Sequence, residues 1–426
     1  MWSKAILSIV TIAGLVADVV AGPYKKIYNS DAPNKVKDQY MIVFKKGTTD
    51  DAVARHHAKM TSFQEKRDLE TRGGRHSGRG KRNSFKFKDF RGYVANYTKE
   101  SVAEAANSPD VDYVEQDVTV KLSGVEWSSP WGLDRISHTN YQIQADILGT
   151  GYTYQYNSQT AGKGITVYVI DTGVLTTHSE FQTPSGSRAT WGTNTIDSDN
   201  SDGNGHGTHC AGIVGGSTYG VAKQAKIVAV KVLDADGSGT WTSVLNGMYW
   251  VAQNARPNLS VVSMSLGGSY SPTVNSAITT LWNAGIISAV AAGNEGVDAA
   301  NDSPASAPQA ITVGAIDNTN IMPSWSNYGS FVDLYAPGVE IISSFIGSNS
   351  ATAILSGTSM ATPHVAGILS YYMSTLGGTN GLTPQSSTNA LISNAITNKL
   401  RGTIAQLKTS MNRLAFNGCS SACASL

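Results

Sequence analysis

The stretch "GITVYVIDTG", residues 164–173, decides the fold. Ile165, Val167, Tyr168, Val169 and Ile170 put apolar side chains on both parities of a strand. A strand with one wet face alternates, so a run without alternation predicts a strand covered on both sides, as in a parallel sheet. The run then stops on Asp171, with Thr172-Gly173 to turn the chain. Similar runs recur downstream as "KIVAVKVL" (226–233), "VVSMSL" (261–266), "GIISAVAAGN" (285–294) and "AITVGAID" (310–317). Helical patterns lie between them, "TSVLNGMYWVAQNA" (242–255) and "PTVNSAITTLWNAG" (272–285). Such alternation predicts a doubly wound α/β domain with a mainly parallel sheet flanked by helices. Ligands of such domains bind outside the carboxyl ends of the strands.

Upstream the pattern differs. "DQYMIVF" (38–44), "FKFKDF" (85–90), "GYVANY" (92–97) and "VDYVEQDVTV" (111–120) read as strands. "TDDAVARHHAKMTSFQEK" (49–66) and "ESVAEAA" (100–106) read as helices. The order βαββαβ predicts a small α+β unit of the split ferredoxin-like type. Its basic, glycine-rich "TRGGRHSGRGKRNS" (71–84) reads as a solvated loop, with Lys81-Arg82 open to a processing protease.

The first 21 residues read as an export signal: Lys4, an apolar core from Ala5 to Val20, and small residues before a cut after Ala21. Asp18 interrupts the core, and no other segment is long or apolar enough to span a membrane. The expected division is 1–21 signal, 22–124 small unit and 125–426 large domain. Residues 22–125 hold 20 Lys and Arg against 14 Asp and Glu; from 126 onward there are 11 against 16. Opposite charge on the two parts favours a partnership within the chain over nucleic-acid binding. Of three cysteines, Cys419 and Cys423 are placed to close a small loop, and Cys210 reads as a buried thiol. Asn96, Asn258 and Asn301 open glycosylation sequons.

Four polar residues stand in small-residue, glycine-bearing settings: Asp171, His206 in "GHGTHCAG", Asn294 in "AAGN" and Ser359 in "SGTSMATPHVAG". Taken singly they read as a turn aspartate, two structural polar residues and a helix-start serine. Taken together they supply a hydroxyl nucleophile, an imidazole to take its proton, a carboxylate to orient the imidazole and an amide to meet an oxyanion. His206, His209 and Cys210 also invite a metal reading, although their spacing matches no metalloprotease helix. Cys210 invites a thiol-protease reading, and a catalytically silent binding module is the rival of another class.

"VIDTG", "GHGTHCAG", "AAGN" and "SGTSMATPHVAG", in that order, resemble the subtilisin-like serine proteases, closest to the proteinase K branch. The resemblance covers residues 127–418, and the small unit resembles the family's inhibitory propeptide. It implies a secreted, self-cleaving serine endopeptidase acting on polypeptides as a monomer, inhibited by its own propeptide until a cut near Gly124–Val125. It assigns Ser359 as nucleophile, His206 as general base and acid, Asp171 as orienting carboxylate, and Asn294 with the Ser359 N–H as oxyanion hole. Ser265, Leu266 and Gly267 with Ala291, Ala292 and Gly293 would wall the pocket for the residue before the scissile bond. Such small-sided walls imply a roomy pocket with apolar or aromatic preference. Gly237, Ser238 and Gly239 would pair with substrate backbone as an added strand, which implies broad specificity. A structural Ca²⁺ is implied at Pro308, Ala310 and Asp333. "YQIQADILGTGYTYQYNSQT" (141–160) is longer than the family pattern and reads as a surface loop, and "DSDNSDGNG" (197–205) as a surface turn rather than a calcium loop.

Overall fold

The structure, a computed structural model, describes residues 27, 28, 30, 35–70, 80–87, 90–118, 124–127, 129–141, 151–376 and 382–419. The signal expected in residues 1–21 lies outside these. No helix among the described residues is long and apolar enough to cross a membrane. The chain divides into two compact units, 1–121 and 122–426.

In the small unit, Val111–Val118, Lys35–Phe44, Phe90–Asn96 and Gly80–Phe87 lie side by side in that order, each antiparallel to its neighbour. Ile27–Tyr28 adds a parallel edge beside Val111–Val118. The helices Asp50–Glu70 and Lys99–Ala106 complete the βαββαβ order. Thr98 caps the second helix by accepting from Ser101 N. Ile42, Tyr93, Ala95, Val102 and Val114 form the core. The expected loop is shorter than the sequence indicated, because Gly80 and Lys81 already pair with Asn96 and Ala95.

The large unit is built on a nine-stranded sheet. Its order runs Ala189–Asn194, Lys226–Lys231, Thr166–Asp171, Ser260–Met264, Ile287–Ala291, Ala310–Ile316, Leu334–Pro337, Arg413–Leu414, Ile396–Thr397. Every pair is parallel except the last. Val167 and Val169 pack into one core and Tyr168 and Ile170 into another, on opposite faces of the sheet. That is why the opening run needed apolar residues at every position. The helices His206–Gly215 and Thr358–Leu376 cover one face; Trp241–Asn254 and Pro272–Asn283 cover the other. The Thr358–Leu376 helix is buried over fifteen of its residues, so its small side chains let it lie against the sheet.

The expected surface loop at 141–160 is corrected in part. Thr153–Tyr156 is a strand paired with Gly124–Trp127, and Tyr152 and Tyr154 are fully buried. Tyr154 OH donates to Val221 O at 2.8 Å and its ring stacks on Tyr156, so aromatic burial holds this insertion.

Candidate active site

Asp171 ends a strand at the point where the sheet order reverses, between Lys226–Lys231 and Ser260–Met264. Its carboxylate has no exposure, and its Oδ1 accepts from His206 Nδ1 at 2.8 Å. His206 is the first residue of its helix and keeps about a quarter of its side chain exposed. Two features hold this junction. A Cβ on Gly207 would overlap the Gly173 carbonyl oxygen, so only glycine lets the helix start against the turn after Asp171. Asp202, itself buried, accepts from Thr172 Oγ1, Gly205 N, Thr208 N and Thr208 Oγ1. The turn before His206 is therefore a buried clamp as well as a connection, a role its polar composition hid.

Burial pushes the His206 imidazole down, but the Asp171 carboxylate and the adjacent Cys210 together outweigh it and hold the ring well above its ordinary value. An imidazole stabilised in its cationic form becomes a competent base only as pH rises through that raised value. The sign for stability is opposite. The pair stabilises the fold while His206 is charged, and that contribution is lost as pH rises. His209, three residues on, faces the other way: its Nε2 meets Ile341 O and Ala353 O at 3.1 Å, and burial pushes it to about 4. It is not placed to share a ligand with His206. Asp171, His206 and Cys210 do cluster, with potential ligand atoms within 4.8 Å. Burial pushes the Cys210 thiol up, which withholds the thiolate a cysteine nucleophile requires.

Ser359 is the second residue of Thr358–Leu376. Its hydroxyl donates to Ser265 O at 3.3 Å rather than to the imidazole, a resting contact of the kind common in sites without substrate. Pro363 frees a backbone carbonyl beside the nucleophile. The residue 363 N–H would have bonded the Ser359 carbonyl, and proline has none. The freed carbonyl accepts from Ser265 Oγ at 2.8 Å and from Cys210 Sγ at 3.4 Å. The same thiol lies 4.0 Å from His206 Nδ1, so Cys210 touches both the serine and the histidine. His364 is buried on Met360 O and pushed to about 4, a structural histidine.

Asn294 is oriented by chemistry. Thr358 N can only donate, so the atom it meets at 2.8 Å is the Asn294 carbonyl oxygen; Thr358 Oγ1 donates to it at 3.0 Å. That leaves the Asn294 NH₂ without a hydrogen bond among the described residues, and Asn294 and Ser359 line one cavity of about 230 Å³. The same cavity is walled by Ser265, Leu266, Gly267, Ala291, Ala292 and Gly293. It is not purely small-sided: Glu295 and Asp302 line it too, which the sequence reading missed although Glu295 directly follows Asn294. A larger groove of about 670 Å³ holds His206 and runs between Gly237, Ser238, Gly239 and Ser265–Ser269.

The remaining candidates fall elsewhere. Asp333 is pushed up to about 6 by burial, with Oδ2 accepting from Thr312 N and Oδ1 without a donor among the described residues. A carboxylate with an oxygen left over has the donor chemistry of a hard-cation ligand; it stands beside Thr312, two residues after Ala310 in the strand Ala310–Ile316. Asn96 ends a strand half-buried with its Oδ1 enclosed, whereas Asn301 is exposed and Asn258 half-exposed at positive φ. Gly124 and Val125 lie in a strand opposite Tyr156 and Gln155. Cys419 is disulfide-bonded and Cys210 free; Cys423 lies outside the described residues.

Residues 162–420 match the model of the subtilase family, and residues 39–123 match that of peptidase inhibitor I9. A cuticle-degrading serine protease of Arthrobotrys oligospora is 49% identical over 98% of this chain and all of its own length. An alkaline protease 1 of Aspergillus clavatus is 40% identical over 96% of this chain and 98% of its own. The crystal structure of a cold-adapted subtilisin-like serine proteinase superposes with a TM-score of 0.60 at 43% identity, covering 68% of this chain and 98% of that one.

Proposed function

The chain belongs to the subtilase family, a serine protease carrying an I9 inhibitor unit ahead of its catalytic unit, and we propose that it is a secreted endopeptidase of broad specificity. The observation that carries the mechanism is the buried Asp171 bonded to a groove-facing His206 at 2.8 Å. Ser359 Oγ turns from Ser265 O to His206, loses its proton to the imidazole and attacks the peptide carbonyl carbon. The oxyanion is met by the Asn294 NH₂ and the Ser359 N–H at the helix start, whose positive end adds to the field. His206 then passes its proton to the leaving amine as the C–N bond breaks. Water, activated by the same imidazole, attacks the acyl-serine; its C–O bond breaks and Ser359 recovers its proton.

Peptide backbone lies between Gly237–Gly239 and Ser265–Gly267 as an added strand, which makes recognition tolerant of sequence. The small side chains at Ala291–Gly293 admit apolar and aromatic residues before the scissile bond. The I9 unit acts as an intramolecular inhibitor removed by a cut near Gly124–Val125. That strand has to leave its partner Thr153–Tyr156 before the bond can enter the groove. Calcium at Asp333 and the Pro308 and Ala310 carbonyls would offset the cost of burying that carboxylate.

A fluorophosphonate probe tests the central reading. Labelling of the wild type at Ser359, lost in Ser359→Ala, supports it. A folded, mature protein that is not labelled removes it in favour of a binding module.

A further inference from the structure

Two carboxylates share the cavity that Ser359 opens into, and their surroundings are unusual. Asn327, with no exposure, accepts from Glu295 N at 3.1 Å and Val297 N at 3.0 Å through its Oδ1. Both partners are N–H donors, so the amide orientation is fixed and the NH₂ points the other way. There it meets three acceptors: Ala292 O at 3.0 Å, Glu295 Oε2 at 2.9 Å and Asp302 Oδ2 at 3.0 Å. An NH₂ has two protons, so one acceptor is always short of a full hydrogen bond. Since both carboxylate oxygens touch one nitrogen, they lie within about 6 Å of each other. Among the described residues neither pairs with a lysine, arginine or histidine. Burial and the neighbouring Glu295 push the Asp302 carboxyl up, as expected for like charges lacking a counter-charge.

The fold makes this pair. Ser269 pairs with Asp302 in a two-residue antiparallel ladder, which brings the segment after Leu266–Gly268 against the one holding Asp302. Gly293, at φ 104°, permits the close approach, since a Cβ there would overlap Asn327 Nδ2. The cavity is defined independently of its acids, because it is the one that holds the nucleophile and Asn294.

We propose that Glu295 and Asp302 make this pocket accept a basic side chain, lysine or arginine, before the scissile bond, alongside the apolar residues its walls admit. The inference rests on the endopeptidase reading above. The methylene stem of a lysine runs along Ala291, Ala292 and Gly293 as an aliphatic side chain would, while its ammonium supplies the protons that Asn327 cannot. Arginine, with a planar fork of donors, can engage both carboxylates at once.

The test uses mature enzyme and a peptide series identical except for lysine, arginine, leucine or phenylalanine before the cleaved bond. Lysine and arginine peptides are expected to be cut at that bond, with kcat/KM within about tenfold of leucine. The lysine-to-leucine ratio should fall about three- to tenfold in Asp302→Asn and further when Glu295→Gln is added. Rising salt should lower the same ratio in the wild type and not in the double variant, a response that loosened packing would not give. Glu295→Gln alone, at an exposed residue, serves if Asp302→Asn fails to fold. Cleavage of leucine and phenylalanine peptides with none at lysine or arginine overturns the proposal, as does a ratio unmoved in every variant. Failure to cut any peptide, together with absent fluorophosphonate labelling, would instead overturn the endopeptidase reading.

Discussion

Each unit of the chain contains a histidine between polar partners, and the two are opposites. In the small unit His56 is buried, with Nδ1 3.0 Å from Ser108 Oγ and Nε2 2.9 Å from Tyr93 OH. Burial, with His57 and Lys59 nearby, pushes it to about 4, against the opposite pull of Asp110 and Glu104. In the large unit His206 bonds a carboxylate, is held above its ordinary value and faces a groove. A serine beside an imidazole is therefore no sign of catalysis by itself. What separates the two is a buried carboxylate and an opening to substrate, and both come from strand ends of a parallel sheet. The small unit is antiparallel except at one edge.

The sharpest way to break this contrast is Ser359→Ala. Peptide hydrolysis should fall about 10⁶-fold, the scale found for a related subtilisin, and uncut precursor should accumulate on a denaturing gel. Substantial hydrolysis in that variant would mean the chemistry lies elsewhere. Asp171→Asn tests the carboxylate alone: kcat should drop about 10⁴-fold, and the acid limb of the pH–rate profile should move to lower pH. In the wild type that limb should rise through a value above that of free imidazole, because Asp171 stabilises the charged ring. Asn294→Ala removes one oxyanion donor, and kcat should fall about 10²- to 10³-fold with KM little changed.

The smallest expected effect sharpens the comparison from the other side. His56 loses its proton more readily in the folded unit than in the unfolded chain. The stability it permits at neutral pH should decline as pH falls below about 6.5 and level off below about 4. Hydrogen exchange on the Ser359→Ala precursor should show the small unit opening more often across that window. Constant protection there would show that the ring is less sealed than its contacts indicate.

Much of this was legible from residues alone. The unbroken apolar run at 165–170 required cover on both faces, and the βαββαβ order was set by local periodicity. Other readings erred for definite reasons. Residues 141–160 carry turn-like glycines and polar residues, yet Tyr152 and Tyr154 are buried by contacts reaching to Val221. The pocket wall was read from Ala291–Gly293 and Ser265–Gly267 alone, and Glu295 and Asp302 join it through Asn327 and the Ser269–Asp302 pairing.

Composition and spacing determined the strand runs, the helix starts and the kinds of group available for chemistry, because these follow from periods of 2 and 3.6 residues. Only the tertiary structure decided which groups meet. It turned the Asn294 amide by the Thr358 N–H, gave the Ser359 carbonyl to Ser265 and Cys210 once Pro363 could not use it, and set Glu295 and Asp302 on one Asn327 nitrogen. Each of those contacts joins residues 25 to 149 positions apart, or completes one that does. Sheet register and helix packing place such partners, and no local pattern encodes either.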